Sequence, residues 1–196
     1  MILKHSFRRV RATVLSTACA AALVSASAYP TASHDVGQGR RIEFGRPGDI
    51  FQVNRTVEIS LRDNYFTPDE VYVQPGETIR FVLKNDGVLL HEFNIGTASM
   101  HVRHQAEMLM FRQHGMLNQK SVNRTQIENY SGKGDSMSHN DPTSELHDPG
   151  TSTELVWKFT KAMVLQFACN IPGHYESGML GAFVFSEKPE QVSSVE

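Results

Sequence analysis

A chain of 196 residues that is 40% hydrophobic and 20% charged has room for one domain with a real core, which argues against wholesale disorder. Its 19 basic residues are nearly matched by 21 acidic ones, so the basic footprint of a nucleic-acid binder is missing. The balance is uneven along the chain, because Lys4, Arg8, Arg9 and Arg11 fall in a first segment that holds no Asp or Glu.

That segment has the order of an export signal. Residues 1–11 are cationic, Ala12 to Val24 are small and apolar, and Ala26-Ser27-Ala28 forms an A-x-A cleavage site. The apolar run is too short and too alanine-rich for a comfortable membrane span. The expectation is a signal peptide over 1–28, cleaved near Ala28, and a periplasmic mature protein with no membrane span. Taking the four named cations from 19 leaves 15 basic residues against 21 acidic ones, so the mature chain is acidic. Cys19 leaves with the signal, and Cys169 is then alone. A lone cysteine in an exported chain has no internal disulfide partner, so it is a buried inert thiol, an intermolecular partner, a reactive thiol or a metal ligand.

Residues 29–52 contain Gly37, Gly39, Gly45, Pro47 and Gly48 without a sustained period and read as an extended leader. A domain over 53–187 follows, with a tail over 188–196. From Arg55, Val57, Ile59 and Leu61 alternate with polar residues, the period of a half-buried strand. Phe66-Thr67-Pro68 turns the chain, Val71-Tyr72-Val73 is a second strand, and Gln74-Pro75-Gly76-Glu77 is a turn. Ile79 to Leu83 is a third strand, Asn85-Asp86-Gly87 another turn, and Leu89 to Ile95 a fourth strand carrying His91. Beyond residue 150, Glu154 to Phe159, Val164 to Cys169 and Ala182 to Ser186 read as strands. Short strands joined by turns, without repeats, predict an all-β fold, an antiparallel β-sandwich.

Residues 98–150 are of another kind. Val102 to Gln119 is poor in β-branched residues and rich in helix formers, which predicts one or two helices, whereas Asn118 to Gly150 is polar and predicts a long loop. Of the eight histidines and seven methionines beyond the signal, five of each fall in this insertion: His101, His104, His114, His139 and His147, with Met100, Met108, Met110, Met116 and Met137.

The stretch with the clearest chemistry is Cys169-Asn170-Ile171-Pro172-Gly173-His174-Tyr175-Glu176-Ser177-Gly178-Met179. It brings a thiolate, an imidazole and a thioether onto one loop between two strands. Soft sulfur donors with imidazole select copper, and a trigonal His2Cys set with a weak axial Met is the blue-copper arrangement. Pro172 and Gly173 let the loop turn tightly. The second imidazole must come from elsewhere, and His91, in His91-Glu92-Phe93, lies on an upstream strand.

The Cys-x4-His-x4-Met loop with the upstream His-Glu-Phe resembles the cupredoxins. Arg55-Thr56-Val57-Glu58, Phe66-Thr67-Pro68, Pro75-Gly76-Glu77-Thr78 and the Pro-Gly-His-Tyr-Glu-Ser-Gly-Met run are more similar still to periplasmic copper-tolerance cupredoxins of CopI type. The resemblance covers roughly residues 46–186. It implies a Greek-key sandwich and one type 1 copper held by His91, Cys169, His174 and Met179.

Four protein donors leave no open position for a substrate, in contrast to catalytic metal centres. Copper oxidases and nitrite reductases place a His beside the type 1 Cys, whereas Cys169 is flanked by Ala168 and Asn170 and no His-x-His pair occurs. A non-catalytic role in copper tolerance, by binding or redox handling of copper, is therefore expected. An electron carrier docking on a redox partner protein is the alternative. On a helix, Met100, His104 and Met108 share a face and Met110 and His114 form an i, i+4 pair, a spacing that could hold Cu(I) weakly at a second, looser site.

Overall fold

Alternating apolar residues pack two sheets face to face in the computed structural model, which describes residues 42–131 and 141–186. The expected signal peptide, the tail over 188–196, Met137 and His139 lie outside the described residues. The strands are β1 (Gly45–Pro47), β2 (Arg55–Arg62), β3 (Tyr65–Thr67), β4 (Glu70–Val73), β5 (Thr78–Asn85), β6 (His91–Gly96), β7 (Ser144–His147), β8 (Ser152–Phe159), β9 (Leu165–Ala168) and β10 (Leu180–Phe185). Helices α1 (Ala98–Gln113) and α2 (Arg124–Ser131) lie between β6 and β7. One sheet has the order β1-β8-β5-β2-β3 and the other β4-β10-β9-β6-β7.

The all-β sandwich with a partly helical insertion is the predicted architecture, with one correction. The sheets are mixed, because β2 runs parallel to β5 and β10 parallel to β4. Alternation along a strand reports which face is buried and is the same whichever way the neighbour runs. Inward-facing Ile59, Leu61, Ile79, Phe81, Leu83, Leu155, Trp157 and Phe159 of the first sheet meet Phe93, Ile95, Leu165, Phe167 and Phe183 of the second. Phe66, Phe81, Phe93, Phe159, Phe167 and Phe183 interlock, with ring centroids 5.0 Å apart for Phe159 and Phe183 and 5.2 Å for Phe66 and Phe167.

Three boundaries differ from expectation. Within the stretch predicted as leader, β1 pairs with β8 and Phe44 is buried against Trp157. Helix α1 starts earlier than Val102, because the Thr97 side chain caps it by accepting from the Met100 amide at 3.3 Å. The long polar loop contains α2 and β7; the latter exists because β6 supplies a ladder partner for it, with His147 opposite His91 and Leu146 opposite Glu92.

This topology delivers the predicted ligand residues to one end of the second sheet. In an antiparallel ladder the start of one strand lies beside the end of its neighbour. His91 opens β6, Cys169 follows the last residue of β9, and Met179 precedes β10, while β9 pairs with both β6 and β10.

Candidate metal centre

Backbone hydrogen bonds tie the Cys-to-Met loop down. The Met179 carbonyl accepts from the Cys169 amide at 3.1 Å, and the His174 carbonyl accepts from the Met179 amide at 3.0 Å. The Ser177 hydroxyl donates to the His174 carbonyl at 2.7 Å. Gly173 and Gly178 sit at φ +96° and +94°, left-handed backbone that favours glycine, and these two reversals fold His174 back towards Cys169.

His91, Cys169 and His174 come together, each offering a donor atom within 4.8 Å of the others. The Cys169 Sγ lies 3.3 Å from His174 Nδ1, and the rings of His91 and His174 are 5.1 Å apart. Cys169 and His91 are fully buried, His174 keeps 9% exposure, and Met179, the fourth predicted ligand, is buried beside them in sequence and in the backbone ladder. His91 donates from one ring nitrogen only: Nε2 is bonded to Asp63 Oδ1 at 2.7 Å, while Nδ1 has no hydrogen-bond partner. A buried thiol without a disulfide partner, an orphaned imidazole nitrogen, a second imidazole against the thiol and a buried thioether are a donor set that fits a soft ion.

The electrostatics of the metal-free site agree with that fit. Burial, together with the nearby Glu92 charge, pushes the Cys169 thiol up, so a cation is needed to hold it as a thiolate. Burial and the neighbouring His91 bring His174 down to about 4, and burial also lowers His91 despite Asp63. Both imidazoles are therefore neutral and able to donate a lone pair at neutral pH.

Glu92 is the residue whose orientation sequence could not give, and it faces inwards. Its amide donates to Cys169 Sγ at 3.4 Å. Its fully buried carboxylate accepts from the Asn170 amide at 3.0 Å, Asn170 Nδ2 at 2.9 Å, the Ser144 hydroxyl at 2.6 Å and His104 Nε2 at 2.6 Å. Burial alone would raise this carboxyl, but the His104 charge and these bonds bring it to about 2. His104 shows the converse. Burial opposes its charge, yet Glu92 and Glu107, the latter at 2.8 Å from Nδ1, hold it up at about 10.

The second, looser site expected from Met100, His104, Met108, Met110 and His114 is not assembled. Both His104 nitrogens are spent on carboxylates, and Met108 is buried in the core while Met100 and Met110 pack against it. His114 is exposed, with Nδ1 on the Met110 carbonyl at 3.0 Å. Met108 and Phe111 are the apolar residues by which α1 enters the core, beside the buried His101 and His104, so the methionines serve packing. Among the described residues, the group of His91, Cys169 and His174 is the cluster of three or more His, Cys, Asp or Glu donors. Sequence reasoning missed Asp63, Ser144 and Asn170, which no local pattern distinguishes.

Comparison with known proteins bears on the family and the fold. A copper-resistant cuproprotein CopI of Pseudomonas aeruginosa is 48% identical over 165 residues, covering 81% of this chain and 88% of the relative. One of the same description from Rubrivivax gelatinosus is 35% identical over 175 residues, covering 85% and 92%. Of the solved structures, a reduced auracyanin from Roseiflexus castenholzii superposes with a TM-score of 0.50 at 19% identity, covering 69% of this chain and 99% of its own. Auracyanin B superposes with a TM-score of 0.52 at 13% identity, covering 74% and 97%. These two likenesses concern the fold. No family model matches the chain.

Proposed function

The chain belongs to the copper-resistant cuproproteins CopI, which are cupredoxins, and from that premise we propose that it is an exported, non-catalytic protein of periplasmic copper tolerance. His91, Cys169 and His174 would hold one copper ion, with the Met179 thioether as the weakest donor of the set. Bound copper supplies one-electron chemistry between Cu(I) and Cu(II). The observation that carries the reading is the buried cluster itself, with donor atoms within 4.8 Å and a His91 Nδ1 that no group among the described residues satisfies.

The chain's own residues supply position and exclusion. The two loop glycines and the Cys169 to Met179 ladder fix three donors before any ion arrives, and burial of Cys169 keeps water off the sulfur. Four protein donors close the site to substrate, which supports binding or redox handling over catalysis. Asn170, in the position where a bridging His would lead to a second copper, is instead committed to Glu92.

The test is a metal count with an absorption spectrum of the mature protein, beside complementation of a copper-sensitive deletion strain. The expected result is one tight copper per chain and a thiolate-to-Cu(II) charge-transfer band that Cys169→Ala abolishes, with Cys169→Ala failing to restore copper tolerance. A coloured Cys169→Ala protein would remove Cys169 from the site. Full complementation by that variant would overturn the assignment to tolerance.

A further inference from the structure

His91 is held by a carboxylate that no other cation among the described residues claims. Asp63, in the turn between β2 and β3, accepts from His91 Nε2 at 2.7 Å and from the amides of Val88 at 3.0 Å and Leu89 at 3.2 Å. One side chain thus grips both the ring and the segment leading into the strand that His91 opens. Among the described residues no Lys or Arg pairs with Asp63, whereas Asp86, nearby in sequence to that segment, pairs with Lys84 at 2.9 Å. Space for the contact is kept by Gly87, where an added Cβ would run into the Asp63 carboxylate and come within 3.0 Å of His91 Nε2.

We infer that Asp63 is a positioning residue for His91, which fixes the ring with Nδ1 towards Cys169 and His174 and biases the site towards Cu(II) over Cu(I). This inference rests on the copper-site reading above. The hydrogen bond to Nε2 sets the tautomer, so that Nδ1 carries the lone pair. A backbone carbonyl would do that much. A carboxylate adds negative charge through a charge-assisted bond, which makes the imidazole a stronger donor and favours the more highly charged ion. The absence of a competing Lys or Arg leaves that charge available to His91, and Gly87 reserves the room in which the two meet.

The experiment compares copper-loaded wild type with Asp63→Asn, Gly87→Ala and Asp86→Asn, reading the reduction potential by mediator titration, Cu(II) affinity by competition and the position of the thiolate band. Asn keeps the shape and an acceptor oxygen but not the charge. The expected result for Asp63→Asn is a roughly tenfold loss of Cu(II) affinity relative to Cu(I), equivalent to a rise of about 59 mV for a one-electron couple. Gly87→Ala should move the potential in the same direction with Asp63 still present, and Asp86→Asn should leave it unmoved. A potential and Cu(II) affinity equal to wild type in Asp63→Asn, or a shift downwards, would overturn the inference. If Asp63→Asn does not fold, an unmoved potential in folded Gly87→Ala overturns it instead. A wild-type protein that shows no thiolate band with copper would overturn the copper-site reading and this inference together. A wild type with the band and an unmoved Asp63→Asn overturns this inference alone.

Discussion

Replacing His104 by Ala would leave the Glu92 carboxylate buried beside the metal site with its counter-charge gone. Glu92 would keep three donors, the Asn170 amide and side chain and the Ser144 hydroxyl, but no cation, because His104 is the positive partner bonded to it. Breaking one side of a buried, hydrogen-bonded ion pair costs about 3–5 kcal/mol, since an uncompensated charge stays inside. Against a total stability of about 5–15 kcal/mol that is a large fraction, and it corresponds to a fall in melting temperature of roughly 6–20 °C for a domain of this size. The measurement is chemical denaturation of the metal-free protein at about pH 6, where the pair is fully charged, in wild type, His104→Ala, Glu92→Gln and the double variant. In the Glu92→Gln background the fully buried charge is gone and only Glu107, which keeps some exposure, loses its partner, so the cost of removing His104 should shrink by about 1 kcal/mol or more, within the range seen for directly bonded pairs. A cost for His104→Ala below about 1 kcal/mol, or an equal cost in both backgrounds, would refute the reading of His104 and Glu92 as a buried charge pair.

What sequence could tell and what it could not divide along a physical line. The strands β2, β5 and β8 were legible because Ile59 and Leu61, Ile79 and Phe81, and Leu155 and Trp157 alternate with polar residues, and alternation is a property of one strand. The direction in which β2 meets β5 is a property of two strands, so the parallel pairing was hidden. Strand β7 carries only Ser144, Glu145, Leu146 and His147, and nothing in those four residues announces a ladder that β6 imposes on them. The same division runs through the site. Cys169, His174 and Met179 were legible because one loop carries all three at regular spacing, and His91 because the set lacked an imidazole. The anion on His91 and the cation under Glu92 arrive from a turn and a helix distant in sequence. The histidine-rich composition of the insertion pointed to metal, whereas His104 is spent on two carboxylates, a use that composition cannot distinguish from ligation.

Stability of the metal-free protein against pH should peak near 6.5. His91, His101, His147 and His174 are held neutral below their ordinary value by burial, His147 and His174 at about 4, so the unfolded chain takes up protons first and stability falls as pH drops below 6.5. His104 is raised to about 10, so its contribution is complete below 6.5 and is lost as pH climbs towards 10, at no more than about 1.4 kcal/mol per pH unit. Four protons against one make the acid limb the steeper, and a midpoint of denaturation flat between pH 4 and 6.5 would contradict the neutral burial of these imidazoles. Gly181→Ala should lower the melting temperature with no change in copper content, because its Cβ would strike the Phe167 ring and the Asp69 carbonyl at a cost of about 1–3 kcal/mol. An unchanged melting temperature would show that β9 and β10 have slack. Met179→Leu separates the donor role proposed for the thioether from the scaffolding role of the main chain. The main chain of Met179 bonds Cys169 and His174 whatever its side chain, and Leu fills the same buried space, so the loop should close as before. If the thioether is the weak member of the set, the variant keeps copper and a thiolate band while its potential and colour shift, as expected when an axial sulfur is removed from a site whose trigonal donors remain. Loss of copper from a folded Met179→Leu protein would mean that Met179 is a principal ligand, and that the His91, Cys169 and His174 cluster cannot retain the ion by itself.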